Sequence, residues 1–93
     1  MFSAEIYFHE NASDLEAIGA ATDDIFSKYQ LPCIRREKAV RIYGDNGDPK
    51  DFGKLYAAIG RVKRTPSILR AIKDGYFDSG YDRETLMTSF FKH

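Results

Sequence analysis

The chain has 93 residues, 43% of them hydrophobic and 14% aromatic, enough for a single hydrophobic core without a metal or disulfide staple. Fourteen basic and fourteen acidic residues cancel to a formal net charge of zero, which excludes a strongly basic protein that coats nucleic acid by charge alone. No apolar run approaches the roughly 20 residues that cross a bilayer, no basic-then-apolar leader opens the chain, and the one cysteine, Cys33, cannot form an internal disulfide, so one soluble domain in a reducing cytoplasm is expected.

Phe2 to Phe8 alternates at the period of two that strands require, with Phe2, Ala4, Ile6 and Phe8 on one side and Ser3, Glu5 and Tyr7 on the other. After His9-Glu10-Asn11, Ser13 and Glu16 have the spacing of a capping box, so a helix is predicted from there to about Tyr29. Its apolar stripe is Leu15, Ile18, Ile25, Phe26 and Tyr29, with Asp14, Glu16, Asp23 and Asp24 away from the core. Leu31-Pro32 ends this helix, because proline brings no amide hydrogen and disfavours helix at the residue before it.

A second strand is predicted over Ala39 to Tyr43, with Ile34 to Lys38 as its extension or as a charged loop. Val40 and Ile42 point one way; Ala39, Arg41 and Tyr43 point the other. Gly44-Asp45-Asn46-Gly47 is a turn, and Asp48-Pro49 with Asp51 opens a second helix whose apolar positions are Phe52, Leu55, Tyr56, Ile59 and Val62. Thr65-Pro66 starts a shorter helix with Ile68, Leu69 and Ile72 inward, ended by Lys73-Asp74-Gly75. Tyr76-Phe77 reads as a short edge strand, and Asp82 as the cap of a last helix carrying Leu86, Met87, Phe90 and Phe91. The expected architecture is α/β, a β-α-β-α core with a helical C-terminal third.

No phosphate-binding glycine loop, zinc spacing, dinucleotide fingerprint or nucleophile elbow is present, so no cofactor or metal is expected. The acids of residues 45–51 do not alternate as hard-cation loops require, and a turn or cap accounts for each. Charge is unevenly placed: residues 1–32 hold six acids against the single base Lys28. The bases form one cluster of Arg35, Arg36, Lys38 and Arg41 and another of Arg61, Lys63, Arg64, Arg70 and Lys73, interleaved with tyrosines. Such clusters hold phosphate backbones, and exposed rings stack on unpaired bases. Tyr7 and Tyr43 are expected on the less buried faces of their strands. His9, just past the first strand, is the candidate general acid or base, because histidine alone titrates near neutrality unaided; His93 ends the chain.

The segments Ala4-Glu5-Ile6-Tyr7-Phe8, Ala21-Thr22-Asp23-Asp24-Ile25, Val40-Arg41-Ile42-Tyr43 and Phe52-Gly53-Lys54-Leu55-Tyr56-Ala57-Ala58-Ile59, taken in order, resemble the VapD family of small virulence-associated bacterial proteins. The resemblance implies a ferredoxin-like homodimer and a ribonuclease acting as the toxin of a toxin-antitoxin pair. Where that family ends the first strand on an aspartate needed for cleavage, this chain has His9 followed by Glu10. The expected function is therefore an RNA-directed protein, with His9, Glu10 and Tyr7 as catalytic candidates and Arg35, Arg36, Lys38, Arg41, Arg61, Lys63 and Arg64 holding phosphate. The alternatives are a non-catalytic module, an antitoxin, phage-encoded inhibitor or regulator, whose acidic first helix docks a basic protein partner, and a structural subunit that dimerises through Phe90 and Phe91.

Overall fold

A computed structural model describes residues 1–91; Lys92 and His93 lie outside it, as do the side chains of Ser89 and Phe91. In chain order the elements are β1 (Ser3–Phe8), α1 (Leu15–Lys28), β2 (Cys33–Glu37), β3 (Val40–Gly44), α2 (Asp51–Lys63), α3 (Pro66–Leu69), β4 (Ile72–Asp78), β5 (Arg83–Thr85) and α4 (Met87–Phe91). The strands form one sheet in the order β2-β3-β1-β4-β5, every neighbouring pair antiparallel.

This corrects the expected ferredoxin-like β-α-β-α core with a helical C-terminal third: the fold is an α+β domain on a five-stranded antiparallel sheet, and residues 72–85 supply two of its strands. The Lys73-Asp74-Gly75 triplet, which resembles a helix terminus, lies inside β4. Gly75 is there for space. A Cβ at that position would point at the Phe90 ring, 2.7 Å from Cε2, so the missing side chain is the seat of Phe90. Phe90 is accordingly 3% exposed within its own chain, which removes it from the surface on which a dimer contact was expected. The expected partner residue Phe91 has its side chain outside the described set.

Two further corrections shape the sheet. The predicted strand at 39–43 with its charged extension is a hairpin of two strands, β2 and β3, reversed at Lys38-Ala39. The Ser13–Glu16 capping box does not form: Asp14 holds the cap position of α1 in a left-handed conformation, φ 56°, without a side-chain cap bond.

α1 and α2 pack on one face of the sheet. Ala4, Ile6 and Phe8 of β1, Tyr43 of β3 and Phe77 of β4 are buried there against Leu15, Phe26, Leu55, Ala58, Ile59, Val62 and Ile68. Removing such side chains from water, about 25 cal/mol per Å² of apolar surface, drives the collapse. Arg41 and Tyr43 also point into this layer and are buried, against the expectation of an accessible arginine and a half-exposed tyrosine. The Tyr43 ring stacks on Phe26, centroids 3.8 Å apart and 3° from parallel.

Their polar ends converge on one carboxylate. Asp23 accepts from the Tyr43 hydroxyl (2.6 Å), from Arg41 Nε (3.2 Å) and from Arg36 Nε (3.2 Å), while Arg41 Nη1 donates to the carbonyls of Glu37 and Val40. Burial, and then the bond to Asp23, push the Tyr43 phenol far above its ordinary range, so it stays protonated and remains the donor.

Candidate nucleic-acid interface

The second face of the sheet carries none of the packed helices. Ile34, Arg35 and Glu37 come from β2, Val40 and Ile42 from β3, Ser3, Glu5 and Tyr7 from β1, Asp74 and Tyr76 from β4, and Arg83 and Thr85 from β5. Because β1 is the central strand, its outward residues stand mid-platform. Glu5 lies between Ile42 and Tyr76, and Tyr7 between Val40 and Asp74.

Glu5 is 8% exposed on a face that none of the described helices covers. Its own neighbours cover it. Arg83 grips it with both guanidinium arms, Nη2 to Oε1 at 2.8 Å and Nε to Oε2 at 3.2 Å, and the Tyr7 hydroxyl donates to Oε1 at 2.7 Å. Two-armed pairs of this kind are stronger and more directional than single contacts. The same guanidinium lies 3.7 Å from the centre of the Tyr76 ring, and Tyr7 and Tyr76 meet edge to face at 6.0 Å. The result is a pair of half-buried rings beside a neutralised carboxylate, with Arg83 held over one of them.

Hydrogen bonding from Arg83 holds the Glu5 carboxyl below its usual 4.5, overcoming the opposing effect of burial. A depressed folded-state value means that the pair contributes stability at pH above about 4.5, and that this contribution fades as pH falls through the folded value. Glu5→Gln is therefore expected to lower the urea midpoint by a constant amount from pH 8 to about pH 5, with the gap to the parent closing below pH 4.5. A gap that widens in acid contradicts the pairing. Tyr7 shifts the other way: burial first and the bond to Glu5 second hold its phenol above 10.0. Such a phenol is a donor and a stacking surface, not a base near neutrality.

The other expected residues are dispersed. Arg35 lies on the bare face and is paired with Glu37 on the same strand; Arg36 reaches Asp23 on the helical side; Lys38 sits in the β2–β3 turn; Arg41 is buried under α1. Arg61, Lys63 and Arg64 are exposed at the C-terminal end of α2 and make no ion pair among the described residues. The cluster of Arg35, Arg36, Lys38 and Arg41 is thus not a single patch. His9 and Glu10 are exposed immediately after β1. The His9 amide donates to the Ala71 carbonyl at 2.8 Å and the Phe8 amide to the Ala39 carbonyl at 2.8 Å, which fixes His9 between the turn bearing Lys38 and the segment bearing Arg70 and Lys73. His9 therefore ends the sheet with cation-bearing segments on both sides.

Asp45, Asp48 and Asp51 each accept a backbone amide, from Phe2 and Gly47, from Lys50, and from Asn46 respectively. Among the described residues no group of three His, Cys, Asp or Glu is placed to hold a metal ion, and no helix is long and apolar enough to cross a membrane.

Glu5, Tyr76 and Arg83 did not emerge from the sequence as site residues. Arg83 was hidden in the helix that Asp82 was expected to cap and Tyr76 in an expected short edge strand. The alternation Asp74, Tyr76, Asp78 opposite Gly75 and Phe77 is the signal that could have found the β4 face. No family model, no curated protein and no solved structure matches the chain.

Proposed function

We propose that the protein binds single-stranded RNA across the bare face of its sheet. The observation that carries this is the Tyr7–Tyr76–Arg83 arrangement on an uncovered sheet centre. Aromatic rings on open sheets stack on splayed bases. Glu5 would repel phosphate if it stood alone; with Arg83 bound to it through two hydrogen bonds the pair is neutral.

The sequence segments that resemble the VapD family, although the ferredoxin-like fold they implied is not the one found, extend this reading to an endoribonuclease toxin, with a homodimer as its form. In that extension His9 takes the proton of the ribose 2′-hydroxyl, Glu10 stands beside it, and Lys38, Arg70 and Lys73 offset the charge that develops on phosphorus. Tyr7 belongs to binding.

Anisotropy titrations with a labelled single-stranded RNA decamer test the binding. Affinity should fall with salt, log K dropping by about 0.7 per phosphate contacted for each tenfold rise in salt. The Tyr7→Ala/Tyr76→Ala double variant should bind at least about tenfold more weakly. Equal binding by the double variant, or no salt dependence, ends this reading. Incubation of the same RNA with parent and His9→Ala protein reads the cleavage separately, and sedimentation equilibrium reads the dimer.

The acidic α1 favours one second reading. Asp14, Glu16 and Asp24 are exposed and make no ion pair among the described residues, whereas Asp23 is spent inside the fold. A non-catalytic module that docks a basic protein would use those three. Replacing them with their amides would then abolish partner capture and leave RNA binding untouched.

A further inference from the structure

On the helical side of the β4–β5 hairpin, facing away from the RNA platform, lies a notch of about 150 Å³ lined by Phe52, Tyr56, Phe77, Ser79, Asp82 and Glu84. Three of these six are aromatic. Phe77 is the floor, 3% exposed, and Glu84 stands directly opposite it on β5. Phe52 and Tyr56 form the walls, one turn apart on α2 and each 42% exposed. Phe52 meets Phe77 edge-on at 5.6 Å and 86°, Tyr56 lies 4.7 Å from Phe77, and the two walls are 5.1 Å apart at 54°.

The rim is acidic; Asp82 Oδ1 accepts the Arg83 amide at 3.0 Å, and the two carboxylates have no counter-charge among the described residues. Neither Asp82 nor Glu84 makes an ion pair among the described residues. The nearest basic residue along the hairpin, Arg83, is committed to Glu5 on the opposite face of the sheet. Lys54, on the same helix as the walls, is paired with the buried Asp51. A neutral apolar ligand would gain nothing from two carboxylates, and an anion would be repelled. A bare metal ion is disfavoured because only two of the six lining residues are carboxylates, and among the described residues no group of three His, Cys, Asp or Glu is placed to hold one. An organic cation satisfies both halves: ring faces attract its charge and its methylenes, and the rim carboxylates supply counter-charge.

We propose that this notch binds a single alkylammonium group. Its volume limits the occupant to one head group with a short alkyl stem, which describes a free amine or the end of a lysine side chain.

Backbone and aromatic NMR shifts of the full chain, titrated with n-butylammonium chloride, tetramethylammonium chloride, tert-butanol and sodium chloride, test the assignment. The expected result is a saturable shift confined to residues 52–56 and 77–84 with the two ammonium salts, and neither effect with the alcohol or with sodium. Glu84→Gln, an exposed substitution that leaves the core intact, should weaken butylammonium binding about three- to tenfold, as should Tyr56→Leu. A lysine-containing, otherwise neutral peptide run beside butylammonium separates the sources: tighter binding of the peptide assigns a protein side chain, equal or weaker binding a free amine. Equal shifts with tert-butanol, or no saturation with any ammonium salt, would overturn the proposal and leave the rings as packing alone. Glu84→Gln should not alter RNA affinity, so failure here is distinguishable from failure of the platform.

Discussion

Asp23→Ala is expected to lower the unfolding free energy by about 3 kcal/mol, because it strands a buried arginine and a buried phenol together. Arg41 is 8% exposed and Tyr43 1% exposed, and Asp23 is their shared acceptor. Arg41 keeps its bonds to the carbonyls of Glu37 and Val40, so its charge is still solvated in part, which holds the loss below that of a wholly unpaired buried ion. Urea denaturation at pH 7 measures it, and the same loss should appear as a fall in Tm of about 10 °C or more. Two companions sharpen the result. Arg36→Ala, which removes only the exposed partner of Asp23, should change little. Asp23→Leu combined with Arg41→Met and Tyr43→Phe should recover most of the loss, since a hydrophobic replacement of the whole buried polar group is near neutral. Arg36→Ala matching the effect of Asp23→Ala would show that the surface pair, and not the buried one, matters.

Phe26→Ala should cost about 4 kcal/mol by the same measurement. The residue is fully buried, and its ring lies flat against that of Tyr43. Its loss opens a cavity beneath α1 and frees Tyr43 to tilt away from Asp23. The double variant Phe26→Ala/Asp23→Ala should therefore cost at least about 0.5 kcal/mol less than the two singles added, because both act through Tyr43. Strict additivity would show that ring and carboxylate hold the tyrosine independently.

The first half of the chain was the more legible in sequence, and the reason is periodic clarity. β1 alternates without interruption, and both long helices keep their apolar stripes, so Leu15, Phe26, Leu55, Ile59 and Val62 are core as their spacing predicts. β2 was obscured because its exposed residues, Ile34 to Glu37, show no alternation of burial to read. β4 was obscured because a bulge beside Phe8 and the side-chain-free Gly75 both break the period of two. Arg41 and Tyr43 were misplaced for a different reason. Polarity argued for solvent, while strand parity put both on the helical face, and parity won once Asp23 supplied a partner. The platform depended on the full length of β4 and on β5: with Tyr76-Phe77 read as a short edge strand and Arg83 as part of a helix, neither residue had a reason to stand beside Tyr7.

The strand order has a consequence for synthesis on the ribosome. β1 is made first, yet one of its two neighbours is β4, which begins at Ile72. Until that point has cleared the exit tunnel, β1 can pair only with β3, its other edge offers free backbone groups to any passing strand, and Glu5 is without Arg83. A chain stalled or cut before Ile72 is therefore a sheet with its central strand turned into an edge, a species that quality-control proteases should remove and that should aggregate where they are absent.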